Sequence, residues 1–472
     1  VRMHSTPTMA VDDGDKANKE LHIAPMMDVS YREFRYFMRL LTKRAVLWTE
    51  MVVDETLIFS DSHDDHLYFD KTCEHPIVCQ LGGNHPDWAV KAVQVMEDYG
   101  YDEINLNMGC PSNRVAGKRG FGAALMKDVD LAVDMVKSMK SSVRSTPVSV
   151  KIRIGVDEED SWEFLEDFVG RLTEEASCRQ FYVHARKVHT AGLNAAQNRR
   201  IPPLNYPRVY RLCERFPDCD FYVNGGIHSL EAARELCHGT SNDDGGKEDE
   251  GGISDHSYCS PGHAVPCALC QAPFGSCTAP PHQRAPPNLR GCMLGRAAMD
   301  DPALFGDVDR YFYGATANPC DSRRHVLLKY CTYLEEMYPR RCCDSDARVT
   351  TRLPAPTVEY KRQACRICCP VCHGSDARSD DPTAGACEMC ASSEGDAIDS
   401  NVKPTPKISS RVVDRSLRPV LGLFSGLDGA KKWRRTLDQV SRDLTIRNCG
   451  PGHILRQAMA TMPDALLDQE FT

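Results

Sequence analysis

Eight short apolar runs, each followed by a stretch with helical spacing, limit what this chain can fold into more than any other feature. They are LHIAPMMD (Leu21–Asp28), AVLWTEM (Ala45–Met51), PIVCQLGG (Pro76–Gly83), EINLNMG (Glu103–Gly109), PVSVKIRIG (Pro147–Gly155), FYVHARK (Phe181–Lys187), FYVNGG (Phe221–Gly226) and GCMLGR (Gly291–Arg296). The intervening segments, such as HPDWAVKAVQVMEDYG, carry apolar residues at helical spacing and end in glycine. Strands that alternate with helices predict a parallel α/β protein. A doubly wound sheet fits that alternation. A (β/α)8 TIM barrel fits it better, because most of the strands end in glycine or polar residues, as expected when one rim carries a site.

A chain of 472 residues has room for such a barrel and an addition. After Asn318 the pattern becomes helical, so the expected architecture is a barrel over 21–318 and a smaller C-terminal helical domain over 319–472, behind a disordered segment 1–20. Each part is interrupted once by a low-complexity insertion, at about 239–287 and about 341–407, whose composition buries no core. The net charge of −9 excludes an overall nucleic-acid signature, leaving a local basic patch, KKWRR at Lys431–Arg435. No apolar run is long enough to span a bilayer, so no membrane partner is expected. The expected state is a cytoplasmic monomer. Because the sequence begins at Val1, an organellar leader stays open.

The strand ends hold the chemistry. Alternation puts Lys151 and Arg153 on one face of their strand, and His184 and Arg186 end another. NGG (Asn224–Gly226) and LGR (ending Gly295–Arg296) close the last two strands, where barrels commonly bind phosphate. Glycines admit an anion to the backbone, and an arginine adds a charge-assisted contact. Cys110 follows a strand and precedes Pro111 on the same rim. An ordinary thiol, with a pKa of about 8.5, is a nucleophile if a base activates it and a general acid if nothing does. No partner histidine is identifiable, which favours the acid.

The ordered series APMMD, TEM, QLGG, YDEINLNMGCPS, VKIRIG, HARK, IPPLNYPRVY, NGGI and LGR, resumed by LGLFSGLDGAKKWRR, resembles the tRNA-dihydrouridine synthases, most nearly their DusA-type branch, the 20/20a synthases. The resemblance runs from about Leu21 to Tyr313 apart from the first insertion. It implies an FMN enzyme that uses NADPH to reduce the 5,6-double bond of uridine in the tRNA D-loop, with hydride from the flavin to C6 and a proton from Cys110 to C5. On the matching positions, Pro25, Met26 and Met27 would line the flavin, Gln80 would hydrogen-bond its ring, and Lys151 and His184 would stand beside it. Asn224, Gly225, Gly226, Gly295 and Arg296 would hold the phosphate, and Asn107 would contact the base. Arg199, Lys431 and Arg434 would contact the tRNA. Ala196 and Lys431 depart from the branch's basic pattern, which bears on the choice of uridine and not on the chemistry.

In the second insertion Cys365 and Cys368, or Cys369 and Cys372, could pair with Cys387 and Cys390 as two CxxC pairs with zinc-site spacing. The surrounding Ser, Asp and Gly favour an unligated loop. Two other functions stay open beside the tRNA enzyme: a flavin-dependent reductase of a free pyrimidine, and a non-catalytic RNA-binding barrel.

Overall fold

A computed structural model describes residues 19–117, 119–238, 285–339, 409–447 and 449–471. Nearly all of the low-complexity insertions, including the zinc-spaced Cys365, Cys368, Cys369, Cys372, Cys387 and Cys390, lie outside them.

Eight parallel strands form one sheet: β1 (Glu20–Ile23), β2 (Leu47–Val53), β3 (Ile77–Gly82), β4 (Glu103–Asn107), β5 (Val148–Arg153), β6 (Gln180–His184), β7 (Asp220–Asn224) and β8 (Leu289–Leu294). Their order is β1-β8-β7-β6-β5-β4-β3-β2. The two ends of that list meet. Val46 N–H donates to Leu21 O and Ile23 N–H to Val46 O, both at 2.9 Å, so the sheet closes. Closure removes the sheet edges and decides for the (β/α)8 barrel over a doubly wound sheet. Each expected run contains or overlaps a strand. Seven of the runs extend too far at their C-terminal ends, because residues such as Met26 and Gly226 belong to the rim loops, while the second stops at Met51, short of the end of β2 at Val53.

Alternation along the strands sorts the residues. Ile104, Leu106, Val150, Ile152, Phe181, Val183, Phe221 and Val223 are completely buried. They share the parity of the strand face that packs against the surrounding helices. The other parity fills the barrel: Ala24, Val46, Trp48, Val78, Tyr182, Tyr222 and Met293 form an apolar cluster, with Met26 packed on it. The helices begin and end where the sequence supplies caps. Ser161 Oγ accepts from Phe164 N–H at 3.0 Å and Asp128 from Leu131 N–H at 3.1 Å. The Pro86–Tyr99 helix stops at Gly100, which takes a left-handed conformation.

The C-terminal part is helical, starting with Arg323–Met337 and resuming with Ser410–Leu417, Ala430–Arg442 and Pro451–Met459. It docks on the barrel's Arg32–Leu41 helix: Tyr36 stacks on Tyr333 at 3.7 Å, and Phe37 meets Tyr330 edge-on at 5.1 Å. It also reaches the loop after β1. Tyr31 Oη donates to Arg415 O at 2.8 Å, and Arg418 donates to Asp28 O at 3.0 Å.

Candidate active site

Neighbouring strands in register bring the expected residues to one rim. Gln80 pairs with Asn105, Asn107 with Lys151, Arg153 with His184, and His184 with Asn224. Gln80 Oε1 accepts from Asn107 Nδ2 at 2.9 Å, and Asn107 Oδ1 accepts from the backbone N–H groups of Gly109 and Cys110 at 3.2 and 3.0 Å. The asparagine therefore holds the loop that carries the thiol. Lys151 Nζ donates to Asn224 Oδ1 at 3.1 Å, and Asn224 is itself held by Met293 O at 2.8 Å.

The Cys110 loop folds back on itself, with Ala123 N–H donating to Cys110 O at 3.1 Å. Gly122 makes this return possible. Its φ is +65°, and a side-chain carbon there would stand 2.9 Å from Cys110 O. The thiol is half-buried, and burial pushes its pKa up. Arg153, Lys151 and Arg199 pull the other way without reversing the shift. A group in this state is a neutral acid in the resting protein whose anion has cations at hand when the proton leaves.

The rim is cationic. Burial lowers the Lys151 ammonium to about 7 and the Arg153 guanidinium to about 10, with Arg153 adding to the Lys151 shift and Arg199 and Arg186 to that of Arg153. His184 is driven well below the usual imidazole range by burial and then by Arg153, Lys151, Arg186 and Arg199. It is neutral near pH 7. Among the described residues no carboxylate pairs with Lys151, Arg153, Arg186, Arg199 or Arg296. Arg153 Nη1 is buried with no hydrogen-bond partner, while its Nε donates to Gly109 O at 3.2 Å. Buried Arg153 and the half-buried cations around it, without carboxylate partners, fit an anionic ligand.

The glycines divide. A side-chain carbon at Gly225 would lie 2.7 Å from His184 Cδ2, and one at Gly226 2.4 Å from Leu204 Cδ1, so the protein's own packing already requires both. At Gly295 the nearest groups would be Ala24 Cβ at 3.6 Å and Met26 Sδ at 3.9 Å, which is ordinary contact. Packing does not require glycine there, and its bare surface leaves room beside the β1 loop. Pro25 and Met26 are partly buried in that loop, whereas Met27 is 58% exposed.

The basic helix divides as well. Lys431 and Arg434 are exposed on Ala430–Arg442. Trp433, between them in sequence, is completely buried; its indole donates to Val420 O at 2.8 Å and its ring packs on Phe424 at 4.9 Å. It belongs to the helical core and is closed to a nucleobase. Arg199 is half-buried at the end of a single 3-10 turn, Gln197–Arg199, within reach of the field of Cys110 and Arg296.

Sequence reasoning left Arg153 and Arg186 without roles, although alternation had put the first beside Lys151. It gave none to Asn105, Ser149 and Glu103, whose links to the site depend on strand register. Among the described residues no cluster of His, Cys, Asp or Glu has the make-up of a metal site. No helix among them is long and apolar enough to cross a membrane.

A closed parallel barrel with a thiol, a neutral histidine and a cluster of buried and half-buried cations on its C-terminal rim has the architecture of a (β/α)8-barrel enzyme. Residues 22–245 match the family model of dihydrouridine synthase (Dus). A tRNA-dihydrouridine(20/20a) synthase of Vibrio parahaemolyticus is 38% identical over 320 residues, 68% of this chain and 79% of the relative. The synthases of the same description from Escherichia coli O6:H1 and from strain K12 are each 47% identical over 314 residues, 66% of this chain and 78% and 75% of theirs. The chain belongs to the dihydrouridine synthase family and is an oxidoreductase.

Proposed function

We propose that this tRNA-dihydrouridine synthase binds FMN on the barrel rim, draws reducing equivalents from NADPH, and reduces uridine in the tRNA D-loop, at positions 20 and 20a by its likeness to the relatives of that description. The observation that carries the reading is the meeting of Cys110, Lys151, His184 and Asn224 at the ends of consecutive parallel strands. The residues suit the cofactor. Arg296 and the turn Asn224–Gly226 would take its phosphate beside the open surface at Gly295, Gln80 and Lys151 would hold the ring, and Pro25, Met26 and Met27 would cover it.

When bound and reduced, the flavin supplies the hydride that C6 of the base receives. The protein supplies the rest. Asn107 has both contacts of its oxygen taken by the Cys110 loop, so it offers the base a hydrogen. Cys110 gives its proton to C5, the thiolate is stabilised by Arg153, Lys151 and Arg199, and solvent restores the proton. Neutral His184 donates or accepts a hydrogen bond without adding to the positive charge.

Exposed Lys431 and Arg434 and half-buried Arg199 would hold phosphates of the tRNA, positioning it without reading its sequence. The uridine must leave its stack to enter the barrel mouth. The cysteine-rich insertion is outside the described residues, and the reaction needs no zinc. A cytoplasmic monomer suffices for all of these roles.

The test is to incubate the purified protein with FMN, NADPH and unmodified tRNA and to map dihydrouridine by mass spectrometry. Dihydrouridine in the D-loop is the expected product. NADPH oxidation with untouched tRNA, or turnover of free uridine, would instead favour a reductase of free pyrimidines. Neither flavin binding nor NADPH oxidation would leave a non-catalytic RNA-binding barrel.

A further inference from the structure

We propose that Glu103, Ser149 and Asn105 are positioning residues: they form a hydrogen-bonded chain through the barrel interior that decides which way round the amides of Gln80 and Asn107 stand. The proposal deepens the FMN and tRNA reading above and rests on it.

The chain can be followed atom by atom. Gly109 and Cys110 N–H donate to Asn107 Oδ1, and Asn107 Nδ2 donates to Gln80 Oε1 at 2.9 Å. Gln80 Nε2 donates to Asn105 Oδ1 at 2.9 Å, and Asn105 Nδ2 to Ser149 Oγ at 2.7 Å. The Ser149 hydroxyl donates to Glu103 Oε1. On the other carboxylate oxygen, Glu103 accepts Gln180 Nε2 at 2.7 Å and Tyr182 Oη at 2.9 Å. Strand register makes the links possible, since Gln80 lies opposite Asn105 and Asn105 opposite Ser149.

Every link donates away from the rim, and the two ends explain why. Backbone N–H groups can only donate. The carboxyl of Glu103 is surrounded by three donors, which oppose the upward push of burial that brings it to about 7. Between these ends stand three amides and a hydroxyl that have no fixed direction of their own. Turning Gln80 or Asn107 would set oxygen against oxygen on one side and hydrogen against hydrogen on the other, and turning Asn105 would set hydrogen against hydrogen at Gln80 and draw the Ser149 hydroxyl off Glu103. Asn105 and Ser149 are completely buried and Gln80 nearly so, hence water cannot repair the mismatch. The direction set at the barrel floor thus agrees with the one the backbone imposes at the rim, and each holds the other in place. It leaves Asn107 with a hydrogen to offer, which suits a ring carbonyl and opposes an amino group.

The experiment compares Ser149→Thr with Ser149→Val. Both add a methyl group's volume to a tight site, and only the first keeps the hydroxyl. Two quantities are read: the rate at which iodoacetamide alkylates Cys110, followed on its peptide in protein without tRNA, and kcat and KM for tRNA. Relative to Ser149→Thr, Ser149→Val should alkylate about tenfold faster and turn over about tenfold more slowly, the equivalent of one buried hydrogen bond, with KM changed by less than about twofold. If thermal melting shows Ser149→Val to be unfolded, Ser149→Ala takes its place under the same criteria. Equality with the threonine variant in alkylation rate overturns the proposal, as does equality in kcat when the wild type is active. Alkylation needs no turnover, so an inactive wild-type protein would count against the FMN and tRNA reading alone.

Discussion

Lys151 Nζ and Asn224 Oδ1 lie 3.1 Å apart, although their side chains rise from strands two apart in the barrel. The bond spans the barrel mouth over β6 and ties a cation to the loop that would hold an anion. Neither partner is informative alone, since a lysine in a strand and an asparagine before two glycines are both common. Joined, they show that the polar groups of this rim were assembled around a shared space.

Removing the thiol tests the proton donor. Cys110→Ala should lower dihydrouridine formation by about 10²- to 10⁴-fold, the usual contribution of a positioned general acid. Its thermal stability should stay near that of the wild type, because the side chain is only half-buried. Quantifying dihydrouridine in single-turnover reactions, with flavin content measured in parallel, checks this.

The pH profile should carry the mark of a buried thiol. Burial raises the Cys110 pKa, so the neutral acid persists to a higher pH than an ordinary thiol would allow. The alkaline limb of kcat is expected above about pH 8.5, the ordinary thiol range. A limb below that range would show that the thiol is activated and not acidic.

Stability should also depend on pH through Lys151. Its folded pKa of about 7 lies below the ordinary lysine value, so between the two the unfolded chain binds more protons and stability rises with pH. The cost of the buried ammonium is therefore full below about pH 7 and is relieved as pH rises toward about 10.5. Without ligand, Lys151→Met should be more stable than wild type by a few kcal/mol near pH 6, with the gap closing at alkaline pH. Urea melts of both proteins across that window provide the comparison.

Gly122 should be intolerant of a side chain. With φ at +65° and Cys110 O 2.9 Å from the added carbon, Gly122→Ala should cost about 1–3 kcal/mol and displace the thiol loop. Activity should fall further than the shift in melting temperature accounts for. Gly192, with φ +79° and open space around it, is a control that shares only the backbone strain.

The basic helix separates binding from folding. Lys431→Ala with Arg434→Ala should weaken tRNA binding and flatten its salt dependence, at an unchanged melting temperature. Trp433→Ala should cost about 3–5 kcal/mol and unsettle the whole helical part, because its ring is completely buried. Filter binding at several salt concentrations, with melts alongside, distinguishes the two effects.

Much of this was legible in the order of the residues. Period-two runs of Val, Ile and Leu must be buried in a sheet, and helices between them force neighbouring strands to run parallel, so the barrel and the rim carrying Cys110, Lys151, His184 and Asn224 follow from local patterning. Tertiary structure decided whatever depends on contacts between strands. That Trp433 is core while Lys431 and Arg434 are surface agrees with the helical spacing of Trp433 and Leu437, but what that apolar face packs against, Phe424 and Val420, came from the tertiary structure. Closure of the sheet came from Val46 reaching β1. The line of amides from Cys110 to Glu103 came from strand register, in which a shift of one residue would turn Asn105 and Ser149 out of the barrel. Sequence states which side chains alternate. Only the closed barrel brings one strand's alternation beside the next, and the direction of a buried hydrogen bond is a property of that neighbourhood.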